Sequence, residues 1–130
     1  MPKPTIELTE AEWTVIKAVW EREPCTAPDI QERLHKHTEW SYSTVRTFMD
    51  RMVVKGLLRA EKLRNLTLYR SVVTRAQAQM GEVRYALKNA FSGALTPMVQ
   101  CLLDSGELSA SELTEIEALI KEKRKRTGRK

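Results

Sequence analysis

Residues 40–56 read WSYSTVRTFMDRMVVKG and residues 57–73 read LLRAEKLRNLTLYRSVV, and the join between them decides the fold. Ser41 stands where a helix N-cap is needed, and Gly56 supplies the left-handed stop that ends a helix. Between them Val45, Phe48, Met49 and Met52 recur at i, i+3, i+4 and i+7, which predicts one apolar helix face. At about 100° per residue, Ser43, Thr47 and Asp50 fall opposite that face, with Arg46 and Arg51 on its flanks. After Gly56 the period changes from helical to alternating. Residues 57–62 and 66–73 predict two strands around a turn at 63–65, with Leu66, Leu68 and Arg70 on one face and Thr67, Tyr69 and Ser71 on the other.

Working outward, Thr9-Glu10-Ala11-Glu12 reads as a capping box opening a helix that carries Trp13, Ile16, Val19 and Trp20 and runs to about Glu23, before Pro24. Thr26-Ala27-Pro28-Asp29 opens a second helix with Ala27, Ile30 and Leu34 as its stripe. Downstream, Thr74 caps a fourth helix bearing Met80, Val83, Leu87 and Phe91, interrupted at Ser92-Gly93. Leu95 to Leu103 predicts a short fifth helix, and Ser109-Ala110-Ser111-Glu112 caps a sixth carrying Leu113, Ile116, Leu119 and Ile120. The reading is a mainly α chain with a small β-hairpin. Residues 1–73 form a winged helix-turn-helix, 74–124 a three-helix dimerisation arm, and 125–130 a basic flexible tail.

Composition narrows the function. The 130 residues carry a net charge of +5, with 42% hydrophobic and 30% charged residues. These are the proportions of a globular chain. No apolar run approaches the roughly 20 residues that span a bilayer, and residues 1–10 lack a secretory apolar core, so a cytoplasmic location without membrane insertion is expected. Charge is uneven: −3 over residues 1–40, +6 over 41–75, −4 over 76–119 and +6 over 120–130. The first basic block coincides with the third helix and the hairpin, where Arg59, Lys62, Arg64 and Arg70 join Arg46 and Arg51. The last, KEKRKRTGRK, reads as a solvated helix end and tail.

Short hydroxyls that allow close approach, beside arginines that reach guanine edges or phosphates, are what major-groove reading needs. The competing reading is a solvated helix face, with Arg46 and Asp50 paired at i, i+4. Cys25 and Cys101 read as buried packing residues, and His35 and His37 as solvated, so no metal or cofactor is expected. With no glycine-rich loop, paired carboxylates or nucleophile–base pattern, the chain does not read as an enzyme.

Thr9-x-Ala11-Glu12-Trp13-x-Val15-Ile16, Val19-Trp20, Trp40-Ser41-x-x-Thr44-Val45-Arg46-Thr47, Arg51-Met52-x-x-Lys55-Gly56-Leu57, Tyr69 and Phe91-Ser92-Gly93-Ala94-Leu95 resemble the penicillinase-repressor family of the BlaI/MecI type. The resemblance covers nearly the whole chain. It implies a homodimeric repressor on an inverted-repeat operator in double-stranded DNA, controlling β-lactam resistance or related genes. It places recognition on Thr44, Arg46, Thr47 and Arg51, with serine at 43 where the family often has lysine. Together with the basic helix face and wing, DNA contacts are expected on Ser41, Tyr42, Ser43, Thr44, Arg46, Thr47, Arg51, Lys55, Lys62 and Arg64. The resemblance also implies a membrane sensor-protease as a partner, the family's cleavage site aligning with Cys101-Leu102. Independently of the resemblance, a segment as short as helices four to six cannot bury its own apolar stripes, so dimer contacts are expected on Met80, Val83, Leu87, Phe91, Leu95, Val99, Leu102 and Ile116. The Cys-x-Cys motifs of the copper-responsive branch are absent. The alternative function is a winged protein–protein adaptor.

Overall fold

The computed structural model describes residues 6–127. Its element order is α1 (Glu10–Glu21), α2 (Ala27–Leu34), α3 (Tyr42–Lys55), β1 (Leu58–Leu63), β2 (Leu66–Ser71), α4 (Arg75–Phe91), α5 (Leu95–Asp104) and α6 (Ala110–Thr127). Local chemistry sets most of the boundaries. Thr9 and Glu12 exchange the two bonds of a capping box, and Thr26 does the same with Asp29. Ser41 accepts from the Thr44 amide, and Gly56 ends α3 at φ 86° while Leu57 N–H returns to the Met52 carbonyl, 2.8 Å away. Helix α1 stops two residues short of the expected Glu23. A residue before proline is pushed out of the helical region, and the Glu23 carboxylate instead accepts from the amide and hydroxyl of Ser71.

β1 and β2 pair antiparallel, with Leu58 opposite Ser71, Ala60 opposite Tyr69, Lys62 opposite Thr67, and Arg59 opposite Arg70. The two-residue turn is closed by Arg64 at φ 59°, a left-handed conformation taken without glycine. The expected division of β2 into two faces holds, and the inward face is that of Tyr69, which is fully buried. A second anchor lies across the chain: Cys25 and Tyr69 exchange both backbone hydrogen bonds, at 3.1 and 2.7 Å.

Val15, Ile16, Val19, Ile30, Val45, Met49, Met52, Leu58 and Tyr69 form one core, with Trp20, Trp40 and Phe48 half-buried against it. Side chains of this size each contribute about 1.5–3 kcal/mol when fully buried. Cys25 belongs to this core, and burial pushes its thiol up to about 11. Cys101 does not: it is exposed on α5, where the sequence reading had it packed inside. His35 and His37 are exposed, as expected.

The chain divides into two compact units, the first ending at Tyr85 and the second beginning at Ala86. The boundary therefore lies inside α4, twelve residues beyond the expected 73/74. The cause is specific packing: Ala78 and Gly81 are buried in the first unit, and a Cβ at Gly81 would collide with the Ile6 carbonyl. Trp13 also donates its indole N–H to Glu82, 3.1 Å away.

In the second unit Gly93 N–H caps α4 on the Leu87 carbonyl, and Ser109 and Glu112 form the expected capping pair of α6. Neither α5 nor α6 buries a residue. Residues 125–127, expected in a flexible tail, continue α6; residues 128–130 lie outside the described residues. No described helix is long and apolar enough to cross a membrane.

Candidate nucleic-acid interface

Helix α3 is held on the core by Val45, Met49 and Met52, which turns its other side outward. Tyr42, Ser43, Thr47, Asp50 and Arg51 are exposed there, with Thr44 and Arg46 half-buried. Ser41 organises the N-terminal turn: its hydroxyl accepts from the Thr44 amide and also meets the hydroxyls of Thr44 and Ser43, each at 3.1 Å. No acidic residue stands in that first turn, so the positive end of the helix is left open to an anion.

Tyr42, Arg46 and Asp50 form a stripe at i, i+4 and i+8. Arg46 Nε donates to both Asp50 oxygens, at 3.2 and 3.4 Å, and its Nη1 donates to the Tyr42 hydroxyl at 3.1 Å. The wing closes this array, because the Tyr69 hydroxyl donates to Asp50 Oδ1 at 2.7 Å. Burial, and then the bond to Asp50, hold the Tyr69 phenol well above its ordinary range, so it stays a donor. The i, i+4 pair expected between Arg46 and Asp50 is present, but it is one part of a four-residue network.

Lys55 is placed differently from a groove contact. Its ammonium lies 2.8 and 2.9 Å from the two oxygens of Glu12. Glu12 is 7% exposed. Burial disfavours its charge, yet the bond from Lys55 and those from Thr9 outweigh that cost and leave the carboxyl below its ordinary range. The charge expected at DNA is thus paired with a buried carboxylate, and the pair ties the end of α3 to the start of α1. Only the partner's side of this pair is legible in the sequence, as a capping glutamate.

On the wing, Lys62 and Arg64 are exposed beside the turn, and Arg59 and Arg70 face each other across the ladder on the outer face. Like charges placed directly opposite are destabilising unless something neutralises them. One residue escaped the sequence reading altogether. Val54 is 87% exposed, seven positions from Thr47 and so on the same outward face. Its signal was an apolar residue off the core stripe.

The residues expected at a dimer contact belong to α4, α5 and α6. Met80, Val83, Leu95, Val99 and Leu102 are exposed, and Leu87, Phe91 and Ile116 are half-buried. Tyr85, Leu103, Leu113, Leu119 and Ile120 are further exposed apolar residues outside the expected dimer contacts. Cys101 and Leu102, at the expected cleavage site, are both exposed within helix α5. No group of three or more His, Cys, Asp or Glu among the described residues could hold a metal ion.

Comparison with known proteins gives the same outline. The family described as "Penicillinase repressor" matches residues 8–122. A "Methicillin resistance regulatory protein MecI" of Mammaliicoccus sciuri is 24% identical over 123 residues, 95% of this chain and 100% of that protein. A "Penicillinase repressor" of Bacillus licheniformis is 24% identical over 120 residues, 92% of this chain and 94% of that one. Among solved structures, the DNA-binding domain of the repressor BlaI superposes with a TM-score of 0.51 at 24% identity, covering 58% of this chain and 93% of that domain. With its winged-helix unit and a match that runs from the first capping box into α6, the chain belongs to the penicillinase repressor family.

Proposed function

We propose that this chain is a repressor that occupies an inverted-repeat DNA operator as a homodimer and controls β-lactam resistance or related genes. The observation that carries the reading is the outward face of α3, with Tyr42, Ser43, Arg46, Thr47 and Arg51 beside a hairpin bearing Lys62 and Arg64. In this reading α3 enters the major groove, and Arg46 and Arg51 reach base edges or phosphates. Ser43 and Thr47 permit close approach, and Val54 offers a methyl-rich contact to thymine. Lys62 and Arg64 lie along the backbone, which positions the protein without reading sequence. Lys55 acts indirectly, by fixing the end of α3.

The second unit supports dimerisation. A helical segment of this length cannot bury its own apolar stripes, and those of α5 and α6 are exposed. Two copies double the phosphates neutralised and set the spacing of two half-sites. A membrane sensor-protease cutting at Cys101-Leu102 is the corresponding route of relief, and it requires that a turn of α5 open first.

The test is a gel shift of the DNA upstream of the chain's own coding sequence across a salt series. With about four phosphates per protomer, log affinity falls with log salt at a slope near −7. Arg46→Ala abolishes the preference for that fragment over random DNA. A slope near zero, with no preference in the wild type, would sink the repressor reading and favour the protein–protein adaptor.

A further inference from the structure

Asp50 is the sole acidic residue of α3, and it stands on the face offered to a polyanion. An unneutralised carboxylate there would oppose binding. The structure instead surrounds it with donors: Arg46 Nε from one turn back along the helix, and the Tyr69 hydroxyl from the wing at 2.7 Å. Tyr69 is the largest fully buried side chain among the described residues, and its backbone exchanges both hydrogen bonds with Cys25. Its hydroxyl is therefore a fixed point. Asp50 hangs from that point, and Arg46 hangs from Asp50 and Tyr42. The Arg46 bonds use Nε and Nη1; the Nη2 end takes part in neither of them.

We infer that Asp50 and Tyr69 are specificity-determining residues: they hold the Arg46 guanidinium in one orientation, so that α3 reads a guanine at one defined position of each half-site. This rests on the repressor reading above. An unrestrained arginine samples many rotamers and takes phosphate or base contacts indiscriminately. A guanidinium held through Nε presents its fork pre-organised, and guanine O6 and N7 are the base-edge acceptors that such a fork matches. The carboxylate is a positioning group and touches no base. The wing thereby acts on sequence choice through a residue that itself never leaves the core.

The experiment selects bound duplexes from a randomised 30-base-pair library, using the full chain as wild type, Arg46→Ala, Asp50→Ala and Tyr69→Phe, each checked for a wild-type melting transition. The length of about 30 base pairs spans two half-sites roughly one to two turns apart. The selected duplex and its single-base-pair variants are then titrated. Wild type shows a guanine preference at one position per half-site that Arg46→Ala abolishes. Tyr69→Phe and Asp50→Ala weaken that same preference about three- to tenfold. With Tyr69→Phe the salt slope and the affinity for random duplex stay at wild-type values, whereas Asp50→Ala, which takes a negative charge off the face offered to DNA, binds random duplex more tightly.

Three results overturn the inference. In the first, Tyr69→Phe and Asp50→Ala retain the full preference at the Arg46 position, which leaves the repressor reading intact. In the second, Asp50→Ala relaxes a different position from Arg46→Ala, which would make the carboxylate a direct reader of cytosine. In the third, Tyr69→Phe weakens every duplex equally, which is a purely structural effect. If the wild type enriches no sequence at all, the repressor reading itself has failed and the inference falls with it.

Discussion

Glu12 shows how much one side chain can organise. It caps α1 by accepting from the Thr9 amide, and it accepts Lys55 with both oxygens. Its carboxyl titrates below its ordinary range. A group depressed on folding contributes stability above its unfolded pKa, and that stability is lost as pH falls through the folded value. Glu12→Gln should therefore lower the urea midpoint at neutral pH, by about 1–2 kcal/mol of stability given that Lys55 is partly solvated. The gap between variant and wild type should close as pH falls through the folded-state pKa of Glu12, because both side chains are then uncharged. A gap unchanged across that range would show that the charge contributes nothing. Lys55→Met should destabilise comparably and leave the salt slope of DNA binding at its wild-type value. A slope shallower by about 0.9 per protomer would return Lys55 to the phosphate contacts.

At the scale of elements, the hinge positions are backbone problems. Gly56 sits at φ 86° with nothing within 4 Å of an added Cβ, so Gly56→Ala meets no clash. Its cost is conformational alone, about 1–2 kcal/mol by thermal or urea unfolding. Arg64 already bears that kind of strain at φ 59°. Arg64→Gly should leave stability at or above the wild type, while the salt slope of DNA binding becomes shallower by about 0.9 per protomer. These local features are also where the sequence was most legible. The capping residues Thr9, Thr26, Ser41 and Ser109 and the stop at Gly56 depend on neighbours within a few positions, so their chemistry can be read from the string. The basic address of α3 and the hairpin was legible for the same reason: periodicity and charge fall on the same residues. Partners distant in sequence were not. Lys55 and Glu12 are 43 positions apart, and Tyr69 and Asp50 are 19 apart. Nothing in either local pattern states that α3 ends against the start of α1, or that the inward strand residue reaches the outward face of the helix. The unit boundary in α4 was hidden similarly, because Gly81 reads as a weak helix residue until the Ile6 backbone lies against it.

At the scale of the molecule, the first unit has its own core, and the second leaves most of its apolar side chains in water. Association through the second unit should appear as a concentration-dependent mass in sedimentation equilibrium. Val99→Asp with Leu102→Asp should give a monomer whose melting transition for the first unit is unchanged. That monomer should lose at least about a hundredfold in affinity for a duplex with two half-sites, but little for a duplex with one, since only linked binding is lost. Equal losses on both duplexes would count against a dimer.

The hairpin adds a consequence for how such a protein can change over generations. Its base is fixed twice, by Cys25 on the Tyr69 backbone and by Glu23 on Ser71, whereas its far end is a two-residue turn open to solvent. Residues added at that turn cost little beyond loop closure, because each doubling of a loop costs only about 0.6 kcal/mol. A single residue inserted into β2 between the turn and Tyr69 would instead need a bulge, or would turn the inward face outward and carry the phenol away from Asp50. Descendants of this chain are thus free to vary the reach of the wing by its tip, while a change of one residue in the strand would, in the reading proposed above, loosen the hold on Arg46.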